Sequence, residues 1–107
     1  MLNRGDIYWV NLDPTIGSEI KKKRPCVIIG ATPINAARRT VVVVPLSSAG
    51  KPRPPLTIPI QCQRKHVVAV CDQIRAVDKS RLIEKIGSAS KEDIMELEQG
   101  LRQTLAL

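Results

Sequence analysis

The sequence predicts a mainly β domain of the α+β type: a small, strongly curved antiparallel barrel with one C-terminal α-helix packed over its open edge. Three observations carry that expectation. Short β-branched runs, such as residues 41–44, recur between segments rich in Pro, Gly and charge. Strand-like patterning gives way to a sustained helical period only once, after Ser90. A chain of 107 residues with no internal repeat or linker suits a single domain, 1–107, built on one core.

Each element follows from local pattern. Residues 6–12 carry Ile7, Trp9, Val10 and Leu12 as apolar positions, and Asp13-Pro14 then turns the chain. Trp9 is expected in the core rather than in a stacking role, and Tyr8 is the only other aromatic, so the core is aliphatic. Residues 25–30 and 40–46 are continuous β-branched runs, consistent with strands buried on both faces. Residues 30–39 between them read as a loop. Residues 48–55, rich in Gly, Pro, Lys and Arg, read as a long exposed loop. Residues 56–60 and 66–70 are two further short strands, residues 72–77 continue extended, and residues 80–82 suit one helical turn. In the terminal helix Ile94, Leu97, Leu101 and Leu105 share a face. Ser90 followed by Asp93 makes a capping-box-like start, with Glu92 and Asp93 in the first turn, where the helix dipole favours negative charge.

Composition removes several function classes. No apolar run approaches membrane-spanning length, and the first residues, Met-Leu-Asn-Arg-Gly-Asp, lack the apolar stretch of a signal peptide. The expectation is a cytoplasmic protein with no membrane partner. Cys26, Cys62 and Cys71 are odd in number and lack Cys-x-x-Cys spacing, which argues against a disulfide framework or zinc site. Cys26 and Cys71 lie in apolar strand patterns and read as buried thiols. His66 is the only imidazole, and no Asp/Glu/His cluster suits a metal or other cofactor.

Charge is unevenly placed. Residues 1–75 hold 12 Lys and Arg against 4 Asp and Glu, a net of +8, whereas residues 76–107 net −1. The cations cluster at residues 21–24, 38–39, 51–53 and 64–65, each between expected strands. Basic loops gathered on one rim of a β structure form a focused positive surface suited to nucleic acid or another polyanion. The richest stretch runs Gly-Ser-Glu-Ile-Lys-Lys-Lys-Arg-Pro from Gly17 to Pro25. One carboxylate, Glu19, precedes four consecutive cations, Lys21, Lys22, Lys23 and Arg24, and Pro25 then opens a strand. A cationic loop rooted in a strand grips phosphate well, and the carboxylate adds a group able to move a proton. A solvated basic loop without chemistry accounts for the same residues.

The motifs, in this order and spacing, resemble the MazF/PemK family of toxin endoribonucleases over nearly the whole chain. Arg4-Gly5-Asp6-Ile7, Trp9-Val10 and Leu12-Asp13-Pro14-Thr15 resemble its opening strand and turn. Gly17-Ser18-Glu19 with Arg24-Pro25 resembles its phosphate-facing loop. Val44-Pro45-Leu46-Ser47-Ser48 resembles a segment that normally reads Pro-x-Thr. Asp72-Gln73-Ile74-Arg75, Asp78-Lys79, Arg81-Leu82 and Ile86-Gly87 resemble its last strands.

The resemblance implies an SH3-like barrel, a homodimer, metal-independent cleavage of single-stranded RNA, and a cognate antitoxin whose acidic segment blocks the RNA groove. It places the catalytic arginine on Arg24 and the catalytic threonine on Ser47, which keeps the hydroxyl but loses the methyl that restricts χ1; Ser48 stands by as a substitute. Glu19 has two readings: proton acceptor or orienting partner of Arg24, and ion-pair partner of the neighbouring lysines. Lys21, Lys22, Lys23, Ser18, Ser48, Lys51, Arg53, Asp72 and Gln73 are the candidate RNA contacts, with a turn-tying role also open for Asp72. Two other function classes stand beside this one. The first is a CcdB-like toxin of the same fold that binds a protein such as DNA gyrase. The second is a basic barrel that binds nucleic acid without cutting it.

Overall fold

The computed structural model describes residues 1–107. Seven strands form one antiparallel sheet: β1 (Asp6–Asn11), β2 (Lys23–Ile28), β3 (Thr40–Ser47), β4 (Thr57–Cys62), β5 (Lys65–Val70), β6 (Arg75–Asp78) and β7 (Leu82–Ser88). Helix α1 (Thr32–Ala37) joins β2 to β3, and helix α2 (Lys91–Leu105) ends the chain. The strand order is β4-β5-β3-β2-β1-β7, with β6 alongside β3.

The curvature originates in β3. Its residues 40–43 pair with β6, while Leu46 and Ser47 pair with β5. One strand thus hands its free edge from one neighbour to another, and the sheet curls into a half-barrel. The register shifts along the β1–β7 pairing add further bend at the other side.

Strand alternation gives the sheet two apolar faces. Ile7, Val27, Val44, Leu46, Ile58, Ile60 and Ala69 face α2 and join Leu97 and Leu101 in the larger buried cluster. Val10, Leu12, Cys26, Ile28, Val41, Val43 and Val77 form a second cluster on the opposite face, closed by the curl. Period-2 side chains on doubly covered strands explain the continuous apolar runs in the sequence.

Helix α2 starts as its sequence dictates, with the Ser90 hydroxyl accepting from Asp93 N at 3.1 Å. The reciprocal half of the capping box is absent. Asp93 Oδ2 instead accepts from Gln61 N at 2.9 Å, tying edge strand β4 to the helix. Gly100 faces Ile58, so the helix sits close on β4.

Three expectations need correction. Residues 30–39 hold helix α1, locked by the buried Asn35 side chain, which donates to the Leu2 and Gly30 carbonyls at 3.0 and 2.9 Å. Residues 72–77 are not continuously extended: Cys71–Gln73 make a 3-10 turn before β6. Residues 82–88 form a seventh strand, absent from the local patterning although the family resemblance placed last strands at Arg81-Leu82 and Ile86-Gly87, and it follows a short turn at Lys79–Arg81.

Candidate active site and nucleic-acid interface

The site lies where β2 begins and β3 ends. Cys26 pairs with Pro45, Val27 with Val44 and Ile28 with Val43. The pairing stops at Cys26–Pro45, and Arg24 and Ser47 stand two residues beyond it, at the adjoining ends of β2 and β3. Alternation along a strand has period 2, so Arg24 keeps the face of Cys26 and Ser47 that of Pro45, one side of the sheet for both. Arg24 also lies opposite Val10, and Ser47 opposite Val68. The two residues are therefore neighbours on the face away from α2, at the rim of the sheet. Ser48, one residue on, emerges on the other side.

Arg24 is half-buried, and its Nε donates to the Lys21 carbonyl at 3.2 Å. That bond folds the guanidinium back towards its own loop and leaves the remaining N–H donors for a ligand. A guanidinium fork matches two phosphate oxygens.

The loop from Leu12 to Lys22 is braced by backbone bonds at both ends. Leu12 N donates to Lys22 O at 2.9 Å, and Lys22 N donates to Asp13 Oδ1 at 3.0 Å. Gln73 Oε1 accepts from Ile20 N at 3.3 Å, Arg75 holds the Leu12 carbonyl at 3.3 Å, and Arg81 binds the Asn11 and Asp13 carbonyls. Lys22 takes a positive φ of 70° and Gly17 one of 59°, turning the chain so that the lysines project outward.

Glu19 does not orient Arg24. Its Oε1 accepts from Ile16 N at 2.6 Å, closing a turn at the loop tip, and neither ion pair of the molecule involves Glu19 or Lys21 to Lys23. Lys21 takes the orienting role through its carbonyl. Ser18 is exposed on the same loop. Gln73 braces this loop, and Asp72 is exposed in the 3-10 turn beside it. Lys51 and Arg53 lie in the loop between β3 and β4, which begins beside Ser47: a Cβ on Gly50 would stand 3.9 Å from the Ser47 hydroxyl oxygen. There Arg53 N bonds the Thr57 hydroxyl at 2.6 Å and Lys51 O accepts from the same hydroxyl at 2.8 Å.

A groove of about 210 Å³ opens on the α2 side of the same rim. Trp9, Pro25, Leu46 and Val67 line it together with Cys62, and Lys23, Arg24, Ser48, Gln63 and Lys65 complete its wall. Trp9 is thus corrected from a core residue to a half-buried one. It shares the alternation phase of buried Ile7 but lies beyond the reach of α2. Gln63 and Arg64 both have positive φ, 51° and 64°, and make the two-residue turn of the β4–β5 hairpin.

The thiols are buried and free. Burial pushes Cys26 up to about 12, with Arg75 opposing, and pushes Cys71 up to about 11, helped by Asp72. Cys62 moves up for the same reason. No group of three or more His, Cys, Asp or Glu side chains converges as a metal site would require.

Fold and site together define a basic half-barrel carrying a guanidinium–hydroxyl pair at the rim of its sheet. A sequence model of the PemK-like, MazF-like toxin of type II toxin-antitoxin system family matches residues 3–105, and the chain belongs to that family. It is 30% identical over 116 residues to endoribonuclease MazF9 of Mycobacterium tuberculosis, covering 100% of this chain and 98% of the relative. It is 34% identical over 112 residues to endoribonuclease MazF of Staphylococcus epidermidis, covering 100% of this chain and 93% of the relative. A crystal structure of MazF from Deinococcus radiodurans superposes with a TM-score of 0.87 at 22% identity, covering 98% of this chain and 96% of that one. An endoribonuclease in complex with its cognate antitoxin, from a mycobacterial species, superposes at 0.82 with 19% identity, over 98% and 95% of the two chains. The half-barrel with a C-terminal helix is therefore the fold of MazF toxins.

Proposed function

We propose that this protein is the toxin of a type II toxin–antitoxin pair, an endoribonuclease that cuts single-stranded RNA at short sequences without a metal ion. The observation that carries the reading is the cross-strand placement of Arg24 and Ser47 beside a loop of unpaired lysines, in a chain of this family. RNA brings its own nucleophile. The ribose 2′-oxygen attacks the adjacent phosphorus, its proton leaves, and the bond to the 5′-oxygen of the next nucleotide breaks as that oxygen gains a proton. The products are a 2′,3′-cyclic phosphate and a 5′-hydroxyl.

The chain's task is to hold the phosphate, align the attack and neutralise the phosphorane. Arg24 carries the charge stabilisation and donates hydrogen bonds to the phosphoryl oxygens. A guanidinium does not lose its proton near neutral pH, so a base role does not fall to it. The Ser47 hydroxyl positions the phosphate or relays a proton. Glu19, exposed at the loop tip, is the proton acceptor in this scheme. Lys21 to Lys23, Ser18, Ser48, Lys51, Arg53, Asp72 and Gln73 make up the surrounding RNA surface, with Gln73 acting through the loop it braces.

Messenger RNA is the substrate by which such cleavage stops translation and growth in the cytoplasm. The active species is a homodimer, and a carboxylate-rich antitoxin segment competes for the same cationic rim. No helix is long and apolar enough to cross a membrane. The relatives named above are endoribonucleases, which favours RNA cleavage over capture of a protein such as gyrase. Incubating purified protein with RNA in excess EDTA tests the reading. Fragments ending in a cyclic phosphate are expected. Intact RNA would support a non-cutting barrel, and activity lost in EDTA but restored by magnesium would overturn the metal-free route.

A further inference from the structure

One cationic cluster of the sequence, Arg38-Arg39, takes no part in the proposed site. The eight residues of β3, at about 3.3 Å each, separate it from the Ser47 end by about 26 Å along the strand. Other cations gather around it. Thr40 pairs with Asp78, and Lys79 N donates to the Arg39 carbonyl at 2.9 Å, so the turn Lys79–Arg81 lies against the two arginines. Arg38 and Arg39 are exposed, and no ion pair of the molecule involves them, Lys79 or Arg81. Asp78, the carboxylate among them, accepts from Ser80 N at 2.9 Å. The hydrogen bonds from Ser80, with Arg81 and Arg39 nearby, hold Asp78 below the usual carboxylate range. Arg81 commits Nη1 to the Asn11 and Asp13 carbonyls and keeps the rest of its fork. Beyond Arg81 a trough opens, lined by Asn11, Asp13, Lys23, Ser80, Arg81 and Ile83. Its one carboxylate, Asp13, is turned to Lys22 N. Lys23 lines this trough and also the groove beside Arg24, which joins the distant cations to the active rim.

We propose that Lys23, Arg81, Lys79, Arg39 and Arg38 form a track that holds the backbone phosphates of the RNA flanking the cleaved nucleotides, without reading their sequence. In naming RNA the inference rests on the ribonuclease reading. The composition of the surface selects the occupant. Ile83 is the one apolar side chain of the trough, and Ala37 the one beside Arg38 and Arg39. A docked protein segment takes its affinity from apolar anchors seated in pockets, which this surface does not offer. A phosphate backbone asks only for charge and hydrogen-bond donors. Three of the five cations are arginines, whose forks match two phosphate oxygens each. Neither lining holds an aromatic ring, so bases find no stacking platform and the contacts are indifferent to sequence. The length of the track makes it selective for long strands. At about 3.4 Å per stacked nucleotide, about eight nucleotides separate the active rim from Arg39.

The test compares the parent protein with a triple variant, Arg38→Gln, Arg39→Gln and Lys79→Gln, none of which belongs to the catalytic site. The probe is a labelled single-stranded DNA of about 20 nucleotides and randomised sequence, which lacks the 2′-hydroxyl nucleophile and stays intact. Anisotropy titrations across a salt series give the slope of log K against log salt. The triple variant should bind more weakly and lose about 2 from that slope, at about 0.7 per phosphate contact. Arg38→Lys with Arg39→Lys keeps the charge and should keep the slope. With a long RNA substrate the triple variant should raise KM and leave kcat unchanged. An unchanged slope in a folded triple variant would overturn the track, and so would a fall in kcat at constant KM. Weaker binding of polyglutamate by the variant, with DNA binding unaffected, would overturn it in favour of an acidic peptide. Should the triple variant fail to fold, Arg38→Gln alone decides, since that side chain is exposed and its change should still remove about 0.7 from the slope. The two readings fail separately: the expected loss of DNA binding with no RNA cut would retire the ribonuclease and keep a polyanion track.

Discussion

Gly100→Ala measures how closely α2 is pressed onto the sheet. In an unobstructed helix interior the change stabilises by about 1 kcal/mol, because glycine surrenders more backbone entropy on folding. At this position a Cβ would stand 2.7 Å from Ile58 Cγ1, 2.9 Å from Ile58 Cδ1 and 3.0 Å from the Pro55 carbonyl oxygen. Ile58 is 4% exposed and held within the larger core cluster, so its side chain has little space to yield. The Pro55 oxygen is backbone and cannot rotate away. Overpacking costs about 1–3 kcal/mol, and two obstructions at once put this site at the upper end. About 3 kcal/mol of cost against about 1 of gain leaves a net loss of about 2 kcal/mol. For a domain of this size that lowers Tm by about 8 °C or more. Urea unfolding followed by circular dichroism, with calorimetry for Tm, checks the value. In an Ile58→Ala background the new methyl fills space rather than colliding. The double mutant should then exceed additivity by about 1–3 kcal/mol. A raised Tm for Gly100→Ala, or strict additivity with Ile58→Ala, would refute the close approach.

Further outcomes are measurable at the site and at the buried thiols. Arg24→Ala should abolish RNA cleavage with the circular dichroism spectrum unchanged, and Ser47→Ala should cost about 10²-fold in kcat/KM while Ser47→Thr stays active. Ser48→Ala should cost less, because it lies on the other side of the rim; the reverse ranking would move the catalytic hydroxyl to Ser48. Replacing Lys21, Lys22 and Lys23 by Gln should reduce the slope of log K against log salt for single-stranded RNA by about 2, at about 0.7 per lost phosphate contact. In the native protein at pH 8 the three thiols should resist iodoacetamide, and all three should react in denaturant, counted by mass spectrometry. Raised thiol pKa values keep the folded state protonated while the unfolded chain ionises from about 9. Stability is therefore full below pH 9 and falls as pH rises towards 11–12, which alkaline melts would show.

The strands with uninterrupted β-branched runs were legible because burial on both faces leaves no room for polar residues. The terminal helix was legible for the opposite reason: one apolar stripe and an N-cap serine announce it. What escaped the pattern was held by distant partners. Strand β7 is interrupted by Glu84 and Lys85, and it exists because β1 offers it an edge. Helix α1 has only six residues, too few for a period, and depends on Asn35 reaching back to the Leu2 carbonyl. Of the candidate site, Arg24 and Ser47 were legible as motif positions, but their placement at the adjoining ends of β2 and β3 follows from long-range strand pairing. Trp9 was misjudged because alternation tells which face a residue takes and not how far the covering helix extends.

The distribution of ion pairs ties the charge pattern to function. Both pairs of the molecule, Arg4–Glu98 and Lys85–Asp6, lie away from the cationic loop. Four consecutive cations repel one another, so the loop's shape needs another source of order. That source is neutral or backbone-directed: Asp13 holds Lys22 N, Gln73 holds Ile20 N, and Arg75 and Arg81 hold carbonyls at the loop's first residues. Glu19, the one carboxylate close in sequence, is turned to Ile16 N instead of to a lysine. A loop fixed through its backbone leaves its ammonium groups unpaired, hydrated and ready to exchange their counterions for phosphates at little cost in desolvation. Had Glu19 or Asp13 neutralised Lys21 to Lys23, each contact with a polyanion would first have to break an ion pair. The arrangement therefore favours a polyanionic partner over a neutral one, and the Lys21 carbonyl holds Arg24 at the end of β2, where the proposed scheme puts that partner's phosphate.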